Sequence, residues 1–228
     1  MAYILHIDTS AETGIVALAK SGVLLASIEQ QDARNHAATI NNDIMRMLAE
    51  NKIGFRDVAA FCVNGGPGSY TGLRIGLATA KGFCYALGKP LMMHNRLQLL
   101  CLESVYDKAK SADYHLAILQ ARANEYFVAV YDNALAVVHA PQHLFEDRME
   151  EFACNLEGNL SCTGYINDAV TTALAKKKVT FNPTTRVNMA SWARYAWAEY
   201  NCNRIVSLAH AEPFYLKQVY THKAKITN

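Results

Sequence analysis

Apolar residues nowhere run uninterrupted for the roughly 18 positions that a membrane-spanning helix needs, so no helical span is expected. Export is not expected either, because Met1-Ala2-Tyr3-Ile4-Leu5-His6-Ile7-Asp8 has no basic n-region and Asp8 interrupts what would be the apolar stretch of a secretion signal. Cysteine is present but unpatterned: Cys62, Cys84, Cys101, Cys154, Cys162 and Cys202 form no Cys-x-x-Cys and no zinc-type cluster. Without an export signal these six read as buried reduced thiols, which points to a soluble protein of a reducing cytoplasm. Charge of one sign is missing as well. Lys plus Arg number 22 against 20 Asp plus Glu, a net +2, too weak a field to hold a phosphate backbone by itself. What is there is apolar material: 51% hydrophobic residues and 18% charged over 228 residues exclude disorder and can bury one large or two small cores.

The order of segments suggests a duplication. Tyr3 to Ile7, Gly14 to Ala19 and Val23 to Glu29 read as strands separated by turn residues, an antiparallel meander. From Ala37 to about Asn51 the period becomes helical, with Ile40, Ile44, Met47 and Leu48 on one face and Gly54 beyond the end. Val58 to Val63 is a short apolar strand, followed by a glycine-rich loop and a helix from about Leu73 to Leu87; Asn95 is placed to cap the next helix. The pattern then restarts. Tyr114 to Leu119, Tyr126 to Tyr131 and Leu135 to His139 are strand candidates, Asp147 to Cys154 a short helix and Leu160 to Thr163 a strand. Asp168 to Lys178 and Met189 to Tyr200 complete the set as helices. In this reading Lys176-Lys177-Lys178 complements the helix C-terminal partial charge. A βββαβα order thus occurs twice, and we expect an α/β chain of two halves, 1–100 and 101–205, each a mixed sheet flanked by helices.

Gly65-Gly66-Pro67-Gly68-Ser69-Tyr70-Thr71-Gly72-Leu73-Arg74 is the richest segment, since its glycines allow close backbone approach while Ser69 or Thr71 can cap the following helix. It is neither a Walker loop, for no Lys follows Gly72, nor a dinucleotide fingerprint, for three residues separate Gly68 from Gly72. A tight strand-to-helix connection and an anion-binding helix N-terminus both remain open. Gly72, Gly76, Ala80 and Cys84 then recur every four residues, a stripe of small side chains on which a helix of this chain or of another protein could approach closely. His139 and His143 have His-x-x-x-His spacing, but Pro141 argues against the helix that would bring them to one metal. No Gly-x-Ser-x-Gly elbow accompanies a Ser/His/Asp set.

Ile7-Asp8-Thr9-Ser10 after a first strand, His36 opening the first helix, the extended segment from Gly66 to Gly76 and Ala211-Glu212-Pro213-Phe214-Tyr215-Leu216 together resemble the TsaB family of tRNA threonylcarbamoyladenosine biosynthesis. The resemblance implies two actin-like or hexokinase-like (ASKHA) ribonuclease-H-like halves, with residues 206–228 returning to the first. It implies a non-catalytic protein without cofactor or metal, partnering the transferase TsaD, reaching the ATPase TsaE through the complex, and meeting tRNA (position 37) only indirectly. Homodimers are expected in isolation. TsaD holds a metal with a His-x-x-x-His pair; here the positions four residues either side of His36 are Asp32 and Ile40. Related proteins commonly show Asp-Ala-Arg where this chain has Gln120-Ala121-Arg122, and Gln carries no charge to attract Mg²⁺.

The expected partner interface comprises Ile40, Ile44, Met47, Leu48, Gly72, Ile75, Gly76, Thr79, Ala80 and Phe83, with Gly76→Leu or Ala80→Glu abolishing pairing in a folded monomer. Asp8, Thr9 and Ser10 form a candidate vestigial phosphate loop. The alternative function is an ATP-dependent small-molecule kinase of the same superfold, in which Asp8 and that loop handle phosphate. A peptidase is a third reading, opposed by the missing metal pair and nucleophile elbow. Lys217, His222, Lys223 and Lys225 make a basic tail, read as a solvated terminus.

Overall fold

The structure, a computed structural model, describes residues 1–31, 36–107, 112–156 and 158–217, the His36 side chain excepted. Asp32 and the tail residues His222, Lys223 and Lys225 lie outside the described residues. The first half runs β1 (Tyr3–Asp8), β2 (Gly14–Lys20), β3 (Val23–Gln30), α1 (His36–Glu50), β4 (Val58–Asn64), α2 (Tyr70–Leu87), β5 (Leu91–His94) and α3 (Arg96–Tyr106). The second repeats it as β6 (Tyr114–Arg122), β7 (Glu125–Asp132), β8 (Val137–Phe145), α4 (Met149–Cys154), β9 (Leu160–Gly164), α5 (Asp168–Ala173), β10 (Val179–Asn182) and α6 (Met189–Asn201). Each sheet has five strands, in the orders β3-β2-β1-β4-β5 and β8-β7-β6-β9-β10, so the duplication holds strand for strand. In both, the meander is antiparallel and the last two strands add in parallel.

Alternation along β1 sorts its side chains between two cores. Leu5 and Ile7 face α1 and α2 in a core with Ile40, Ile44, Met47, Leu48, Leu77 and Ala80. Ile4 faces the opposite way, into a core built from α3, α6 and the inner faces of both sheets, including Trp192, Tyr195, Leu119 and Tyr131. A third core packs α4 and α5 on the outer face of the second sheet. The helices of the middle layer are exchanged: α3 lies on strands of the second sheet and α6 on β1 and β3 of the first.

Several elements depart from the sequence reading. α2 starts at Tyr70 because Ser69 is its cap, accepting from the Gly72 amide at 3.2 Å. β5 and β10, four residues each, are additional. β8 begins at Val137 and runs through Pro141, which is tolerated because β8 is an edge strand. α5 ends at Ala173, so the lysine run does not sit in its last turn; Lys177 Nζ instead donates to the Cys154 and Leu156 carbonyls at the end of α4. Among the cysteines, Cys154 and Cys202 are exposed and the other four are buried free thiols.

Candidate functional site

The C-terminal end of β1 is held by its own loop. The Asp8 carboxylate accepts at Oδ1 from the Ser10 amide (2.9 Å) and the Ser10 hydroxyl (2.6 Å), and at Oδ2 from Asn64 Nδ2 (3.0 Å). Asn64 also donates to Ser10 Oγ (3.1 Å) and accepts from the Gly66 amide (3.0 Å), tying the loop after β1 to the glycine segment after β4. The Ser69 amide donates to the Ser10 carbonyl (2.8 Å), and Thr9 Oγ1 donates to the Gly72 carbonyl (2.6 Å). Asp8, Thr9 and Ser10 are all buried. The structure therefore brings the three residues together in a buried turn fixed by hydrogen bonds to Asn64 and to the glycine segment.

The small-residue stripe of α2 is what lets that turn in so closely. A Cβ built on Gly72 would stand 1.9 Å from the Thr9 carbonyl oxygen, one on Gly76 2.3 Å from Thr9 Oγ1, and one on Gly68 2.2 Å from the Ser10 carbonyl oxygen. This corrects the expected partner interface. Gly72 and Gly76 pack against the chain's own loop after β1, while Ile40, Ile44, Met47, Leu48 and Ala80 are buried in the core beneath α1 and α2. None of these is available to a partner, and Gly76→Leu would disrupt the monomer. Ile75, Thr79 and Phe83 are half-buried, Phe83 stacked between Phe55 and Phe61. The outward faces carry Met45 on α1 and Ala78, Gly82 and Tyr85 on α2, with Tyr85 86% exposed.

Between the halves lies a cleft cavity of about 440 Å³, bounded by Ser10 and Glu12 from the loop after β1, Ser69 from the glycine segment, Gln120 at the end of β6, and Tyr165. Arg96, the first residue of α3, sits at its floor and was missed by sequence reasoning. It looks like a surface residue after the Asn95 cap, whose side chain accepts from the Leu97 amide at 2.9 Å, yet it is only 8% exposed. Its Nη1 donates to the Ser10 carbonyl (3.3 Å) and its Nη2 to the Thr185 carbonyl (2.9 Å), bridging the halves. Asn64 was missed too; its only signal was a polar residue at the close of an apolar run beside Gly65 and Gly66.

Behind the cleft, His6 and His94 are buried beside Trp192. Trp192 Nε1 donates to His94 Nδ1 (2.8 Å), Cys62 Sγ lies 3.3 Å from the same nitrogen, and the His6 ring meets Trp192 edge-on at 5.1 Å. Burial pushes His6 down to about 4 and His94 down to about 3, helped for His94 by the nearby His6. Both histidines are neutral packing groups at ordinary pH. Among the described residues no three His, Cys, Asp or Glu side chains are placed to share a metal. His139 and His143 lie on β8, where a four-residue separation spans about 13 Å, so they do not converge; His143 Nε2 contacts Glu125 Oε2 at 2.7 Å instead.

The C-terminal segment returns along the first half: Val206 bridges to Leu91, Ala211 is buried beneath α2, and the Phe214 amide donates to the Gly65 carbonyl at 2.8 Å. Tyr215 stacks on Tyr70 at 5.0 Å and accepts from Arg74 Nε at 3.1 Å, and Lys217 pairs with Glu125 of the second half.

The model of the family described as TsaD: tRNA N6-adenosine threonylcarbamoyltransferase matches residues 23–193. The chain is 26% identical over 231 residues to the tRNA threonylcarbamoyladenosine biosynthesis protein TsaB of Haemophilus influenzae, covering 96% of this chain and 95% of that protein. In structure it is similar to a Pseudomonas aeruginosa protein described as having similarity to peptidase YeaZ, with a TM-score of 0.77 at 21% identity over 95% of this chain and 100% of that one. It also shares its fold with component A of the (R)-2-hydroxyglutaryl-CoA dehydratase of Acidaminococcus fermentans, with a TM-score of 0.52 at 10% identity over 90% and 100% of the two chains. The architecture is the duplicated actin-like, hexokinase-like α/β fold, and the chain belongs to the family described as TsaD: tRNA N6-adenosine threonylcarbamoyltransferase.

Proposed function

We propose that this chain works in the cytoplasm with TsaD in forming N6-threonylcarbamoyladenosine at position 37 of tRNA, as a non-catalytic heterodimer scaffold and activator. The observation that carries the non-catalytic part is the buried Asp8 turn. A kinase of this superfold turns its strand-end carboxylate toward a metal-bound phosphate, and here that carboxylate is held in the turn by three hydrogen bonds, two from Ser10 and one from Asn64. The family model and the relative along the whole chain support the pathway. Docking of TsaD uses the outward faces of α1 and α2, around Met45, Ala78, Gly82 and Tyr85 with the half-buried Ile75, Thr79 and Phe83, and not the buried stripe. The same faces serve a homodimer in isolation, and TsaE and tRNA are met through the complex.

The test is threonylcarbamoylation in a mixture of TsaD, TsaE, threonylcarbamoyl-AMP, ATP and tRNA, with and without this protein. Modification that depends on its addition and survives Asp8→Asn is the expected result. A rate unaffected by adding it would overturn the proposal, and loss of activity in a folded Asp8→Asn protein would return a chemical role to the strand end. Calorimetric titration of the chain alone with Mg-ATP tests the kinase alternative, which requires micromolar binding.

A further inference from the structure

Beyond the bridge at Val206, residues 207–217 belong to no helix or strand, yet they are fixed to the first half at successive points. The Phe214 amide donates to the Gly65 carbonyl at 2.8 Å. A Cβ built on Gly65 would stand 2.7 Å from the Phe214 ring and 2.8 Å from Met93 Cγ, so glycine at this position is what seats the ring. Tyr215 then lies on Tyr70, with Arg74 Nε donating to its hydroxyl, and Leu216 packs against the middle core.

At Lys217 the segment crosses to the second half. The ammonium pairs with Glu125, the first residue of β7, at the same Oε2 that His143 Nε2 contacts at 2.7 Å. The His143 ring is flanked by Phe127 at 5.9 Å and Phe145 at 5.0 Å, which fixes the carboxylate it holds. Hydrogen bonds from Lys217 first and His143 second keep the Glu125 carboxyl below the usual carboxylate range. Beneath the crossing is a cavity of about 280 Å³, bounded by Leu73 and Phe214 on one side and Arg122 and Phe127 on the other. It adjoins the cleft cavity at Pro67, Gly68 and Phe127. At this end of the molecule the halves face each other across unfilled space, without the dispersion contacts that would resist their separation, so a tether placed there has leverage.

We propose that residues 206–217 are a strap whose ion pair from Lys217 to Glu125 latches the two halves at one separation. Release of the pair lets the β6–β7 hairpin swing away from the glycine segment. The latch is a property of the chain alone and is tested without TsaD, so it stands or falls apart from the proposed function.

Two native thiols report on it. Cys154 ends α4 on the second half, Cys202 caps the end of α6, which packs on the first sheet, and both are exposed while the other four cysteines are buried. Nitroxide labels on these two, read by double electron–electron resonance in the full chain, measure the separation of the halves; hydrogen exchange at the Phe214 amide, followed by NMR, measures the hold of the strap. Lys217→Met keeps the stem and Glu125→Gln keeps a polar side chain. Each is expected to add a longer component to the distance distribution and to speed exchange at Phe214 by about three- to fivefold. The double variant should match either single one, since both remove the same pair. Distances unchanged in both single variants would overturn the latch even where exchange at Phe214 quickens, because Lys217 would then be a local anchor of the segment. A double variant whose effect is the sum of the two would overturn it as well.

Discussion

A methyl group added at Gly72 and the same group added at Gly82 have opposite consequences, although both glycines lie within α2. On helix propensity alone, Gly→Ala at either position stabilises by about 1 kcal/mol. At Gly82 nothing lies within 4 Å of the new Cβ, so that gain is realised. At Gly72 the new Cβ would stand 1.9 Å from the Thr9 carbonyl oxygen, and the obstacle is backbone, which cannot swing aside. Relief requires α2 and the loop after β1 to part by more than 1 Å, an overpacking cost of about 3 kcal/mol. The shift also loosens the 2.6 Å bond from Thr9 Oγ1 to the Gly72 carbonyl, worth about 1 kcal/mol. The balance for Gly72→Ala is a loss of about 3 kcal/mol, or roughly 6–12 °C in Tm for a chain of this size, against a rise of about 2–4 °C for Gly82→Ala. Thermal unfolding followed by circular dichroism at matched concentration, with urea titration for the free energies, measures both. A Gly72→Ala protein as stable as the parent would refute the placement of the stripe against the chain's own loop.

Other outcomes follow from the buried groups and the outer helix faces. Below about pH 6.5 the unfolded chain takes up protons at His6 and His94, whereas the folded chain does so only near about 4 and about 3, so stability falls as the pH falls. The loss is on the order of 2 kcal/mol per histidine between pH 6.5 and pH 5. A His94→Gln protein should show about half the slope of Tm against pH in that window, and a flat profile in the parent would contradict the burial. Trp192→Phe strips the donor from His94 Nδ1 and should cost about 2–3 kcal/mol in urea unfolding, with a change below 0.5 kcal/mol counting against that bond. Tyr85→Glu, 86% exposed on α2, should lower affinity for TsaD at least tenfold with Tm unchanged; equal affinity by calorimetry would move the docking surface elsewhere.

Much of the fold was legible because its signals are local. The short apolar runs Tyr3 to Ile7 and Gly14 to Ala19 between turn residues, and the helical spacing of Ile40, Ile44, Met47 and Leu48, are recognisable from neighbouring residues alone, and both strands and that helix face are buried. Leu91–His94 and Val179–Asn182 escaped because four residues are too few to show a period. The stripe Gly72, Gly76, Ala80 and Cys84 was read correctly as a surface of close approach, but what approaches is a loop 63 residues earlier in the chain, as the bond from Thr9 to Gly72 shows. Spacing says how near a neighbour comes and nothing of which neighbour it is. Arg96 was illegible for a related reason: a charged residue at a helix start is ordinarily solvated, and only the meeting of Ser10 and Thr185 from opposite halves buries it.

The exchange of helices in the middle layer bears on how the chain comes into being. The inner face of the first sheet is complete in sequence by His94, yet the helix that covers β1 and β3 begins only at Met189. At a synthesis rate of about 5–20 residues per second, the intervening stretch takes roughly 5–19 s, during which that apolar face has no cover of its own. A ribosome-bound intermediate of this length is a natural client for a holding chaperone. Expression of residues 1–106 as a separate fragment would leave the same face bare and yield aggregate, so the two look-alike halves are one unit of synthesis and folding.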